Sequence, residues 1–230
     1  MKLLKVFGKL VLLLVFVLIV YEFWILAQIG WMRWFNPGAS AFMERRLAVM
    51  QEKNPKARLK HLWFEYARIS VHLKRALIVS EDAKFVNHEG FDWAAIEKAL
   101  EKNLQRGKVV SGGSTISQQL AKNLFLSSDR SLIRKVQEAI ITLMLEAVLP
   151  KRRIFEIYLN IIEWGEGVFG AQAAATHYFQ INAGQLNEWQ AARLAAMVPS
   201  PRYFDKNRNA PYLDRQTETL LTRMPAAVVP

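Results

Sequence analysis

The sequence contains no cysteine, which removes disulfides, thiolate metal ligands and cysteine nucleophiles and leaves packing to hold the fold. Acidic residues are few beside basic ones, 20 against 31. The resulting net charge of +11 favours an anionic partner without choosing among nucleic acid, a membrane surface and a phosphorylated substrate. Repeats and low-complexity tracts are absent, and runs with the alternating pattern of a half-buried strand are scarce. At 230 residues and 52% apolar composition, the chain can bury one core and carry an accessory segment, but two full domains would be cramped.

One long hydrophobic run is present. Lys2, Lys5 and Lys9 precede an apolar stretch from Leu10 to Ile29, about the twenty residues that cross a bilayer core. A cleaved signal peptide is the competing reading, with Ala39, Ser40 and Ala41 as a small-residue site, but the run is too long and ends too far upstream. The expected organisation is a cytoplasmic basic tail over 1–9, a transmembrane anchor over 10–34, a linker over 35–45 and a single domain over 46–225. The positive-inside rule keeps the lysines in the cytoplasm and places everything after Trp34 outside, which disfavours nucleic acid as a partner. Glu22 is awkward in hydrocarbon, at a cost of about 3 kcal/mol on insertion scales. Trp24, Trp31 and Trp34 suit an aromatic belt at the membrane exit, or packing on the domain.

The rest of the chain reads as mainly α-helical. Ile69, Leu73, Ala76 and Leu77, then Trp93, Ile96 and Leu100, recur at helical spacing. Ser131 to Leu149 is apolar on most sides, which predicts a helix buried in the core and ended by Pro150. A new helix continues through Ile154, Ile157, Tyr158 and Ile161; Gly165, Gly167 and Gly170 form a loop; Ala171 to Phe179 is a closely packed helix. Asn187 and Gln190 form a capping box for a helix through Met197, after which Pro199 and Pro201 close the pattern.

The stretch from Glu81 to Glu138 carries the candidate chemistry. Two carboxylates bracket a polar, glycine-hinged, cation-rich segment, a pattern suited to sugar chemistry on an anionic leaving group. Inverting glycosyl transfer needs a base for the attacking hydroxyl and stabilisation of the departing group. Glu81 and Asp82 precede the turn-like Asn87, His88, Glu89 and Gly90, and either could be the base; a solvated acidic helix end is the ordinary alternative. His88 reads as a loop-orienting residue. Glu138 follows Arg134 by four positions and Lys135 by three, so the three share a helix face, and an ion pair locking that helix is the alternative. Lys122, Arg130, Arg134 and Lys135 outnumber Asp129 and Glu138 here and can neutralise a departing phosphate. They adjoin Ser114, Thr115, Gln118, Gln119 and Asn123, short polar groups suited to sugar and phosphate recognition. Gly112 and Gly113 offer loop mobility, and Glu146 is structural.

These blocks, with Phe85, His88, Gly90 and Asp92 after the first pair and the unbroken run from Gly112 to Asn123, resemble the signatures of the peptidoglycan glycosyltransferases, glycosyltransferase family 51. The likeness is greatest to the monofunctional biosynthetic transglycosylases. Glu156, Tyr158, Leu159 and Asn160, then Gly170, Ala174, Tyr178 and Phe179, extend the match over nearly the whole domain and read as packing. Gln137 and Gln180 depart from the pattern. The resemblance implies a mainly α, lysozyme-like fold behind one membrane helix. It assigns Glu81 as the catalytic base toward the acceptor hydroxyl and Glu138 as the second functional glutamate, near the donor pyrophosphate. Asp82, Thr115, Gln119, Lys122, Asn123, Arg130, Arg134 and Lys135 match substrate-side positions, with Asp82, Phe85, His88 and Asp92 also acting as supports.

The implied reaction joins a lipid-linked glycan to lipid II through β-1,4 bonds and releases undecaprenyl pyrophosphate. The implied setting is the bacterial inner membrane, with the catalytic domain periplasmic and cell-wall or divisome proteins as partners. Departure is assisted by the cations, and Mg²⁺ or Mn²⁺ is compatible with that role. No transpeptidase motif of the Ser-x-x-Lys type is present. A hydrolytic muramidase of similar fold would need one raised-pKa acid and no pyrophosphate site. A non-catalytic anchor in a wall-synthesis complex would leave the polar block from Ser114 to Asn123 without a purpose.

Overall fold

The computed structural model describes residues 2–107, 112–129 and 131–230. Helix α1, Lys2–Met32, is the apolar run as one continuous helix, long and apolar enough to cross a membrane. Its side chains from Leu10 to Val20 stand exposed, whereas Ile25, Ile29 and Met32 are buried against the domain. The exit is tied down by polar contacts. Arg153 donates to the carbonyls of Met32 at 2.8 Å and Phe35 at 2.9 Å, and Arg33 donates to Val148 O at 3.0 Å. Glu22 shares the helical face of Ile25 and Ile29 and has one carboxylate oxygen buried. Trp24, Trp31 and Trp34 are all exposed, so they face away from the domain as an aromatic belt requires.

Ser40 caps α2 (Ala41–Lys53), and β1 (Lys60–His61) and α3 (Val71–Glu81) follow. Next come α4 (Trp93–Arg106), α5 (Ile116–Phe125), α6 (Leu132–Val148) and α7 (Lys151–Ile161). The expected glycine loop is a hairpin of β2 (Glu163–Gly165) and β3 (Val168–Phe169). Strand β3 lies between the other two, parallel to β1 with Lys60 opposite Val168 and antiparallel to β2 with Glu163 opposite Phe169. Helices α8 (Ala171–Phe179) and α9 (Glu188–Met197) complete the predicted set. Helix α5 packs against α6 and α7, and α3 packs against α9. Leu73 and Leu77, Ile116 and Leu120, Ile141 and Leu145, and Ile154 and Ile157 bring α3, α5, α6 and α7 into one buried cluster.

One expectation is corrected. Helix α6 is not buried all round: Glu138, Ile141, Thr142 and Leu145 form its inner face, while Leu132, Ile133, Val136 and Leu143 are 86%, 84%, 61% and 57% exposed. Its apolar composition comes largely from the outer face, and composition alone does not say which face a helix buries. Helix α9 ends at Met197, ahead of Pro199 and Pro201 as expected, and two further helices follow. Pro201 opens α10 (Pro201–Lys206) and Pro211 opens α11 (Pro211–Arg223), because proline in a first turn sacrifices no helical hydrogen bond. Helix α11 then packs across α3 and α9.

Asn160, read from sequence as packing, clasps the domain through hydrogen bonds. Fully buried in α7, it accepts from Phe64 N at 2.8 Å and donates to Phe64 O at 3.0 Å and Glu156 O at 2.9 Å. Asn160→Ala strands both backbone groups of Phe64 away from water, at about 1–3 kcal/mol for each unsatisfied group. The expected result is a thermal midpoint several degrees lower, read by circular dichroism, and an unchanged midpoint would contradict this account.

Candidate active site

Glu81 is the last residue of α3 and Asp82 is its C-cap. One oxygen of Glu81 accepts from Ser80 Oγ at 3.0 Å and the other from Gln119 Nε2 at 2.9 Å. Burial pushes the Glu81 carboxyl above the usual carboxylate range; the bonds from Gln119 and Ser80 pull it back, and the neighbouring Asp82 charge pushes it further up. Gln119 is held from behind, where Tyr158 on α7 donates to its Oε1 at 3.0 Å.

Asp82 faces inward. It is buried, pairs with His88 Nε2 at 3.0 Å and accepts from Ile116 N at 3.0 Å. A carboxylate on that first amide of α5 satisfies an orphan donor and complements the helix dipole. Thr115 is likewise a support, forming a capping box with Gln118 and donating to Gly90 O at 2.6 Å. Both residues therefore aim α5. Gly113 has a structural reason beyond mobility: an added Cβ would stand 3.1 Å from Ile96 Cα and 3.3 Å from Ala95 O, so glycine eases this close approach to α4.

A cleft of about 430 Å³ opens beside Glu81, within the size range of small-ligand sites. Its lining includes Glu81, Asp82, Asp92 and Gly112 to Thr115, with Lys84, Lys98 from α4 and Arg223 from α11. Sequence reading missed these three cations, Ser80 and the contact made by Tyr158. Ser80 adjoins Glu81 and was within reach of local inspection. Arg223 carries no local signal, because only tertiary packing brings α11 here.

The second carboxylate does not line that cleft. Glu138 is 4% exposed and lies beneath its own cations, accepting from Arg134 at 2.6 Å on one oxygen and from Lys135 on the other. Arg134 and Lys135 are the more exposed members. Lys122 joins this group electrostatically: burial lowers its pKa, the Glu138 charge raises it, and Arg134 and Lys135 lower it. Lys122 stands three residues after Gln119 on α5, so this one helix touches Glu81 with one side chain and senses Glu138 with the other. Asn123 donates back to Gln119 O at 2.7 Å. Glu146 is structural as expected, accepting from buried Ser117 and from Lys151 Nζ at 2.8 Å. Arg130 lies outside the described residues.

Among the described residues, no group of three histidine, aspartate or glutamate side chains is placed to hold a metal ion. Both oxygens of Glu138 are taken by Arg134 and Lys135.

Residues 47–225 match the family described as Transglycosylase. A biosynthetic peptidoglycan transglycosylase of Nitrosospira multiformis is 59% identical over 97% of this chain and 97% of its own length. Proteins of the same description from Dechloromonas aromatica and Methylobacillus flagellatus are 59% and 58% identical, over 100% and 98% of this chain and 100% and 99% of their own lengths. With likeness of this degree from end to end, the chain belongs to the transglycosylase family, as a glycosyltransferase of the peptidoglycan class.

Proposed function

We propose that the protein polymerises lipid II into linear glycan strands by inverting β-1,4 transfer, releasing undecaprenyl pyrophosphate without a transpeptidase step. The observation that carries this reading is a half-buried glutamate with a raised pKa at a cleft, joined by one short helix to a lysine and arginine cluster. Glu81 accepts the proton of the acceptor sugar hydroxyl as its oxygen attacks the donor's anomeric carbon. The bond from that carbon to the diphosphate breaks, and its electron pair leaves with the lipid diphosphate. Lys122, Arg134 and Lys135 supply the preorganised positive charge for this leaving group. Glu138 sits beneath two of them and acts by holding them in place.

The cluster also weighs against the muramidase reading, because hydrolysis of a finished glycan releases no diphosphate. The full chain, purified in detergent, is expected to convert lipid II into long strands and to leave lipid-free glycan intact; cleavage of that glycan with no strand synthesis would reverse the assignment. In cells, Lys2, Lys5 and Lys9 at the start of α1 favour a periplasmic domain at the inner membrane.

The titrations set a pH dependence. Glu81 must be ionised to accept a proton, and its folded pKa is raised, so the acid limb of kcat/KM lies above the ordinary glutamate value of about 4.3. Lys122 must be charged, and its pKa is lowered, so the basic limb lies below the ordinary lysine value of about 10.4. A bell-shaped profile narrowed from both sides is the expected measurement. An acid limb at the ordinary glutamate position would remove Glu81 from the role.

A further inference from the structure

We propose that Tyr158 is a positioning residue for the base, its hydroxyl fixing which end of the Gln119 amide meets Glu81. The inference rests on the reading of Glu81 as the base. A primary amide has two ends of nearly the same shape and opposite hydrogen-bonding character, a donating nitrogen and an accepting oxygen. Turned with nitrogen toward Glu81, Gln119 stabilises the carboxylate; turned with oxygen toward it, it repels. The side chain alone does not enforce one orientation. Tyr158 does, because its fully buried hydroxyl donates to Oε1 at 3.0 Å and so leaves Nε2 to donate to Glu81 at 2.9 Å. The relay runs one way, from phenol to amide to carboxylate, across α7, α5 and α3.

Burial, then the charges of Glu81 and Asp82, hold the Tyr158 phenol well above its usual pKa, so it remains a donor throughout the working range. The other charged groups around Glu81 are Asp82 beside it and, along the cleft, Asp92, Lys84, Lys98 and Arg223. Among the described residues, none of these donates a hydrogen bond to its carboxylate. The Tyr158 ring also packs on Phe155, with centroids 6.3 Å apart, and a phenylalanine would retain that contact. Packing alone therefore predicts that loss of the hydroxyl leaves the pH profile untouched.

Tyr158→Phe tests this in the full chain with lipid II as substrate. With Gln119 no longer aimed, Glu81 loses a donor to its charged form, so its pKa rises. The acid limb of kcat/KM is expected to move up by about one pH unit, with a fall of about 3–10-fold on the acidic side of neutrality. KM should change less than about twofold, because Tyr158 does not touch substrate. Gln119→Ala should move the limb as well, and adding Tyr158→Phe to it should move it no further, because both act through one bond. An unmoved limb in Tyr158→Phe, or a full second displacement in the Gln119→Ala background, overturns the proposal. Should the phenylalanine variant not fold, a fluorotyrosine at 158 keeps ring and hydroxyl while strengthening the donor. It should move the limb down, and no movement would again overturn the proposal. Retained polymerisation by Glu81→Gln would instead remove the base assignment itself; an inactive Glu81→Gln beside an unmoved limb in Tyr158→Phe removes this inference alone.

Discussion

Glu81→Gln is expected to lower strand synthesis by about 10²–10⁴-fold, the range that general-base catalysis supplies, without lowering thermal stability at neutral pH. Glutamine keeps the volume and one acceptor oxygen of the glutamate but cannot take a proton from the acceptor hydroxyl. Stability should move the other way from activity. Folding raises the Glu81 pKa, with burial as the largest cause, so the native state holds this proton more tightly than the unfolded chain does. Its contribution to stability is complete below the unfolded carboxylate value and is lost as pH climbs through the folded one. Above the folded pKa the wild-type protein carries a buried charge, which the amide does not. Strand yield and thermal midpoint from one preparation should thus diverge: activity collapses while the midpoint holds or rises, as when a site is kept strained for function. Polymerisation at the wild-type rate would end the assignment of the base. A collapse accompanied by a falling midpoint would show the loss to be one of folding.

The elements most legible from sequence were those whose signals are local. The apolar run marked α1, and Asn187 with Gln190 forms the expected capping box of α9; the Thr115 and Gln118 capping box of α5 went unread among residues taken for substrate recognition. Residues whose meaning depends on a distant partner were less legible. Tyr158 and Asn160 read as packing because a buried aromatic and a buried amide look alike in sequence whether or not they aim another group. Helix α6 was assigned wholly to the core because apolar residues dominate it, yet its inner face sets Glu138 and Thr142 beside Ile141 and Leu145, and a charged residue can be buried there because its partners lie on the same helix. Pro199 and Pro201 follow the end of α9, but the start of α10 at Pro201 was not read, because a residue that follows one helix is equally suited to begin the next. Spacing leaves Glu81 and Asp82 as equal candidates and Glu138 as an ion-pair residue; the family resemblance singles out Glu81 and Glu138, and neither signal shows that Glu138 lies under its cations rather than in the cleft.

That burial shapes what Glu138→Gln should do. The variant removes the charge that both Arg134 and Lys135 bond to, so two side chains aimed by one carboxylate become free to sample other rotamers. Positive charge that must reorganise during the reaction stabilises a leaving diphosphate less than charge already in place. A fall of about 10²–10³-fold in kcat/KM is expected, the cost of losing one preorganised group of this kind. The pH profile identifies the cause. Burial holds the Lys122 pKa down, Glu138 raises it, and Arg134 with Lys135 lowers it; deleting the negative member leaves only terms that push downward. Lys122 then gives up its proton at lower pH, and the basic limb should move toward neutrality while the acid limb, set by Glu81, stays where it was. A glutamate acting by direct contact with the diphosphate would lower the whole curve without displacing one limb. A basic limb that does not move in Glu138→Gln would therefore separate Lys122 from Glu138 and leave the cation cluster without the anchor the structure gives it.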